Sequence, residues 1–274
     1  MILNGKEVAA IIKDNVKEKI NLHLTLAVIL VGDDNASKIY VRNKKIACDY
    51  VGIKSLVYEL PASITQNDLL ELVHELNSRP DVTGILVQLP LPKHIDEAVI
   101  MENINPLKDV DGFNPQNVGA LTLGAPKFIP CTPLGIMNLL AHYKISIDGK
   151  NCTIIGRSND VGKPMALLML AANATVTVCH SHTKNLTDIA KTADILISAV
   201  GKAKFINADM IKSGATLIDV GINRESGKLC GDIDFDSCVE KAANITPVPG
   251  GVGPMTIATL MQNCVLAGEL QRAQ

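Results

Sequence analysis

Short, wholly apolar runs alternate along this chain with longer stretches in which apolar positions recur at a helical period. The short runs predict strands over 26–31, 55–60, 84–89, 153–155, 175–179, 195–199 and 216–220. The longer stretches predict helices over 5–20, 37–51, 66–78, 133–143, 164–172 and 256–273. Such an alternation marks βα units, and strands apolar on both faces mark a parallel sheet covered on both sides. The fold expected is therefore α/β, in two domains. A segment rich in Gly, Pro, Asn and Asp, 105–133, separates the two groups of strands. A second such segment, 246–254, precedes the last helix. The expected division is 1–123, completed by a returning helix over 254–274, and 124–253. The ligand crevice is expected between the two domains.

Composition narrows what this fold can serve. The chain has 274 residues, 47% of them apolar, enough for a full core. Net charge is −2, so no field favours a polyanion. With no Trp and 3% aromatics, stacking on single-stranded bases is also disfavoured. Nucleic acid is therefore not an expected partner. Cys48, Cys131, Cys152, Cys179, Cys230, Cys238 and Cys264 are scattered, with no C-x-x-C pair. That points away from disulfides and zinc, and towards a reducing compartment. No basic-then-apolar leader opens the chain and no apolar run would span a bilayer, so a cytoplasmic protein without membrane contact is expected.

The strand ending at Ile155 runs into Gly156-Arg157-Ser158-Asn159-Asp160-Val161-Gly162-Lys163-Pro164, and a helix follows. A strand, glycine turn and helix in that order suit phosphate binding, although the spacing is not G-x-G-x-x-G and an ordinary βα loop would read alike. Gly156 permits the tight turn, and Gly162 lets backbone approach a pyrophosphate. NAD sites carry an acidic residue about 20 residues further on. Here the next strand ends in Cys179-His180-Ser181-His182-Thr183, without a carboxylate. Hydroxyls and imidazoles, with Arg157 at the first turn, favour the extra phosphate of NADP. Asp160 opposes it. His180 and His182 also read as a satisfied strand-end pair.

In the first domain, Ser37, Tyr40 and Lys44 share one helix face at spacings of three and four. Ile39, Ile46 and Tyr50 are expected to form the neighbouring face that docks on the sheet. The polar stripe reads as either a site or a solvated face. Gln88 is less ordinary, because a polar side chain at the carboxyl end of a buried parallel strand points to where open α/β sheets bind ligands. Asp109 and Asp111 form D-x-D-G, but the later ligands of a calcium loop are missing, so no metal is expected. One of these carboxylates could accept bonds from an amino-heterocycle.

Taken together, the motifs around Ser37-Lys38-Ile39-Tyr40-Val41-Arg42-Asn43-Lys44, Val87-Gln88-Leu89-Pro90-Leu91-Pro92, Lys108-Asp109-Val110-Asp111-Gly112-Phe113 and Gly156-Arg157-Ser158 resemble the bifunctional methylenetetrahydrofolate dehydrogenase/cyclohydrolase (FolD) family. So do Pro130-Cys131-Thr132-Pro133 and the long, specific Pro247-Val248-Pro249-Gly250-Gly251-Val252-Gly253-Pro254-Met255-Thr256. The resemblance implies an N-terminal α/β substrate domain and a Rossmann-like NADP-binding domain. It implies oxidation of 5,10-methylenetetrahydrofolate with NADP⁺, then hydrolysis of the methenyl product. By motif, Lys44 is the catalytic amine, Gln88 hydrogen-bonds it, Tyr40 stacks on the folate and Asp111 anchors the pterin. Ser37, Leu89, Pro249, Gly250 and Gly251 border the substrate. Gly156, Arg157, Ser158, Val161, His180, Ser181, Gly201 and Ile222 belong to the cofactor site, and Thr256 lies where cofactor and substrate meet. The family usually has a branched apolar residue where this chain has Asp160. A homodimer through the nucleotide domain is implied too, with the hairpin-like segment 222–232 in the contact. Other two-domain dehydrogenases, of shikimate or amino-acid type, and non-catalytic NADP-binding proteins share the nucleotide half.

Overall fold

The computed structural model describes residues 1–20 and 23–273. Asn21, Leu22 and Gln274, which fall within the first expected domain and its returning helix, lie outside the described residues. The chain divides into two compact units: residues 10–131 with 257–274, and residues 1–9 with 132–256. The divisions fall within or at the edge of three helices, α1 (Gly5–Lys19), α6 (Cys131–His142) and α10 (Val252–Arg272).

The first unit holds β1 (Thr25–Val31), α2 (Asn35–Val51), β2 (Lys54–Leu60), α3 (Gln66–Ser78), β3 (Gly84–Val87), α4 (Glu97–Asn103) and α5 (Pro115–Thr122). Its strands form a parallel sheet in the order β2-β1-β3. All seven residues of β1 are buried, and the period of two divides the six from Leu26 to Val31 between two cores. Leu26, Val28 and Leu30 pack with Val41, Cys48 and Val51 of α2 and with Leu260, Met261 and Cys264 of α10. Ala27, Ile29 and Val31 pack with Leu69, Val73 and Leu76 of α3 and with Ile100 and Met101 of α4. This is why the strand reads as a continuous apolar run.

The second unit holds β4 (Asn151–Ile155), α7 (Gly162–Ala171), β5 (Thr175–Cys179), α8 (Leu186–Ala190), β6 (Ile195–Ser198) and β7 (Thr216–Asp219). It continues through β8 (Asn223–Glu225), β9 (Lys228–Cys230), α9 (Phe235–Cys238) and β10 (Asn244–Ile245). Five strands form a parallel sheet ordered β10-β7-β6-β4-β5, and β8 and β9 form an antiparallel hairpin. The short helices α4, α5, α8 and α9 are too brief to show a helical period, and β10 is two residues long, so none of them was expected.

The expected strand over 84–89 stops at Val87. Gln88 and Leu89 lie beyond the strand, although the Gln88 N–H still donates to the Ile29 carbonyl at 2.8 Å.

Candidate functional site

In the first unit the site starts at the carboxyl end of the sheet. The Asp34 carboxylate accepts the Ser37 N–H at 2.7 Å and caps α2, so the helix begins at Asn35 rather than Ser37. Gly52, at φ +89°, ends it. The buried face of α2 is Ser37, Val41, Lys44, Ala47, Cys48 and Val51. The expected docking of Ile39, Ile46 and Tyr50 on the sheet is therefore wrong. Their relative exposures are 48, 57 and 47%, and they lie on the outer face. Two of the three polar-stripe residues, Ser37 and Lys44, thus lie on the sheet-facing side, where the apolar residues Val41, Ala47, Cys48 and Val51 pack with β1.

Lys44 is 7% exposed, and its Nζ donates to Gln88 Oε1 at 3.0 Å. The Gln88 amide is oriented by the Leu89 carbonyl, which accepts from Nε2 at 2.7 Å and so turns Oε1 towards the amine. Leu89 is half-buried and precedes a cis peptide bond to Pro90. Tyr40, one helical turn before Lys44, is half-buried, and that burial raises its phenol above the ordinary value.

The two aspartates of D-x-D-G separate sharply. Asp109 is 1% exposed and its carboxylate accepts from Gly112 N at 3.1 Å, Asn114 N at 2.8 Å and Asn117 Nδ2 at 2.8 Å. Burial pushes its carboxyl up, against the pull of these bonds. Asp109 organises the loop. Asp111 is only half-buried. Burial, then the charge and hydrogen bond of Asp111, push the Cys131 thiol well up, while the Lys44 charge opposes. Asp111 and Lys44 thus act on the same buried thiol. Among the described residues, no group of three or more His, Cys, Asp or Glu could hold a metal ion.

In the second unit, Ile155 pairs with Cys179 and with Ser198, and Ser198 pairs with Asp219. The carboxyl ends of β4, β5, β6 and β7 are thus in register, and their turns emerge side by side. The strand order reverses at β4, which is where open α/β sheets bind ligands. Gly156, at φ +129°, turns here, and a Cβ on it would fall 2.4 Å from the Ala199 carbonyl oxygen. Gly162 is packed as closely. A Cβ there would lie 2.3 Å from the Gly156 carbonyl oxygen, so its missing side chain serves the close packing of strand end and helix start. Ser158 Oγ accepts weakly from Val161 N at 3.4 Å and Gly162 N at 3.3 Å. Arg157, Ser158 and Asp160 are exposed and Val161 is buried.

At the end of β5 the His180 N–H donates to Thr183 Oγ1 at 2.8 Å, and the His182 N–H donates to His180 Nδ1 at 3.2 Å. That bond leaves His180 Nε2 to carry the proton of the neutral ring. Ser181 is exposed beside them. Gly201, at φ +66°, and exposed Ile222 sit in the turns after β6 and β7. Pro249, Gly250 and Gly251 form the loop before α10, where Gly250 O accepts from Lys6 N at 2.9 Å. The hydroxyls of Thr132 and Thr256 bond at 2.9 Å. Asp219 at this edge, Asp232 bonded to it, and Thr132 on α6 are polar groups that periodicity does not single out. The two aspartates would be suggested only by their flanking glycines, Gly221 and Gly231.

Residues 130–272 match the family described as tetrahydrofolate dehydrogenase/cyclohydrolase, NAD(P)-binding domain, and residues 3–111 match its catalytic domain. The chain belongs to the tetrahydrofolate dehydrogenase/cyclohydrolase family. It is 60% identical to the bifunctional protein FolD of Agathobacter rectalis, across 97% of this chain and 98% of that one. The solved structure of the bifunctional FolD enzyme from Campylobacter jejuni superposes with a TM-score of 0.97 at 52% identity, covering 99% of both chains. That of Trypanosoma brucei FolD, complexed with NADP cofactor and an inhibitor, does so with a TM-score of 0.96 at 36% identity, covering 100% and 99%. Membership in this family accounts for the α/β fold with a catalytic and an NAD(P)-binding domain.

Proposed function

We propose that this protein is an NADP-dependent enzyme of one-carbon metabolism with two activities. It oxidises 5,10-methylenetetrahydrofolate to 5,10-methenyltetrahydrofolate, then adds water to the methenyl cation to give 10-formyltetrahydrofolate and a proton. The observation that carries this reading is the buried Lys44 amine held on Gln88 at 3.0 Å. An amine fixed within a polar pair can orient a bridging carbon, and can take a proton from water as it attacks a cation. Tyr40 stacks on the folate, Asp111 accepts from the pterin, and Ser37 and Leu89 border the same substrate.

NADP⁺, when bound, accepts the hydride. The residues at the carboxyl edge of the second unit fit it: Gly156 opens the turn, and no carboxylate stands at the end of β5, where hydroxyls and imidazoles are found instead. Arg157, Ser158, Ser181 and His180 hold the phosphates, with Val161, Gly201, Ile222 and Thr256 around the remainder. Residues 1–123 with 254–274 make the folate-binding part and 124–253 the NADP-binding part.

The enzyme is a cytoplasmic homodimer in this reading, joined through the second unit and its hairpin. Exposed Leu170, Val178 and Leu229 support that contact, and seven free cysteines support a reducing compartment. Among the described residues no helix is long and apolar enough to cross a membrane. The test is spectrophotometric. Methylenetetrahydrofolate with NADP⁺ yields methenyltetrahydrofolate and NADPH, and added methenyltetrahydrofolate is consumed faster than in buffer. Absence of both reactions with folded protein overturns the reading.

A further inference from the structure

Asp232 is fully buried, and its two oxygens meet five donors drawn from two separate turns. Oδ2 accepts from Val200 N at 2.7 Å, Gly201 N at 3.3 Å and Ser198 Oγ at 3.3 Å. Oδ1 accepts from Lys202 N at 2.9 Å and Asn223 Nδ2 at 2.9 Å. Three successive N–H groups after β6 thus converge on one carboxylate, an arrangement that Gly201 permits by taking a positive φ. The Asn223 amide ties in the segment after β7.

Asp232 is itself fixed by its counterpart. Asp219 Oδ1 accepts from Asp232 N at 2.9 Å and Gly221 N at 3.0 Å, and its Oδ2 accepts from Ile233 N at 2.8 Å. The approach is too close for any side chain on the flanking residues. A Cβ on Gly221 would lie 2.1 Å from Asp232 Oδ1, and one on Gly231 would lie 1.8 Å from Asp219 Oδ2. The pinned turn also continues into the phosphate-binding turn, because Ala199 O abuts Gly156.

We propose that Asp232 is a positioning residue for NADP⁺ binding: without touching the cofactor, it sets the backbone of the turn at Gly201 and of the segment carrying Ile222. This rests on the NADP⁺ reading above. A neutral amide cannot replace the carboxylate. Either orientation of an asparagine places an NH₂ against two or more of the five donors.

The experiment compares wild type, Asp232→Asn and Asn223→Ala in three measurements: KM for NADP⁺ in the dehydrogenase assay, direct NADPH titration, and cofactor-free hydrolysis of methenyltetrahydrofolate. Losing charge-assisted bonds predicts that Asp232→Asn raises KM and the NADPH dissociation constant about tenfold or more. Hydrolysis, which uses Lys44 in the other unit, should be unchanged. Asn223→Ala, which removes one bond at a half-buried site, should raise the same two constants by a smaller factor. Unchanged NADP⁺ and NADPH constants in both variants overturn the proposal. So does a fall in hydrolysis that parallels the cofactor effect in both variants, because it marks a general structural role. If wild type itself shows no NADP⁺-dependent oxidation, the parent reading fails instead, and the two failures are distinguishable.

Discussion

Lys44 and Gln88 lie 44 positions apart in the chain and 3.0 Å apart in space. Replacing Lys44 with Met keeps most of the side-chain length and removes the amine. Hydrolysis of methenyltetrahydrofolate should fall by about 10²–10⁴-fold, the range for a general acid–base group. Near-normal hydrolysis by folded Lys44→Met protein would show that the amine is not the base. Arg157 allows a second test. Its planar donors can meet phosphate oxygens two at a time, so Arg157→Ala should weaken NADP⁺ by about 10- to 150-fold and leave NAD⁺ almost unchanged. Parallel titrations of both cofactors at fixed salt read this out, and equal losses would place Arg157 on the shared pyrophosphate. The D-x-D-G motif illustrates what a sequence withholds at this scale. Its two carboxylates look equivalent, and only burial separates them, with Asp109 bound into the loop and Asp111 half-buried.

At the scale of elements, the long apolar and periodic segments were legible because packing demands them. The run at β1 is apolar throughout because it feeds two cores. The face of α2 was not legible, because burial there follows Ser37 and Lys44 in preference to Ile39 and Ile46. Polar residues buried on a helix face invert a rule that assumes polar means outside. Ile46→Gln checks the point, since on an exposed face it should change the unfolding free energy by less than about 0.5 kcal/mol. A loss of 2 kcal/mol or more in urea unfolding, about the scale of a truncated core residue, would mean the face is covered. Asp34 was a signal in plain view: an N-cap aspartate three positions before Ser37 dates the start of the helix.

For the whole molecule, thiol chemistry gives a global check. Cys48, Cys131, Cys152, Cys179, Cys238 and Cys264 are buried, while Cys230 is half-buried. Burial pushes Cys48 and Cys152 up to about 12 and Cys131 and Cys264 well above their ordinary value. Thiolate is the reactive form, so at pH 8 the native protein should react at no more than one site, and all seven thiols should react after denaturation. Rapid labelling of two or more native thiols would contradict this packing.

The returning helix α10 has a bearing on synthesis. Leu260, Met261 and Cys264 fill the core under β1, and Asn263 Nδ2 donates to Val110 O at 2.8 Å and Ile129 O at 3.0 Å. Leu3, at the other extreme, donates its N–H to Ile245 O at 2.8 Å. A ribosome that has made the first 131 residues therefore carries two unfinished units, each awaiting a strand or helix still to be translated. Domains usually fold one after another as they emerge. Here the nascent chain must keep an open apolar sheet face until α10 arrives, so translation speed and chaperone access over the second half of the message bear on the yield of the half made first.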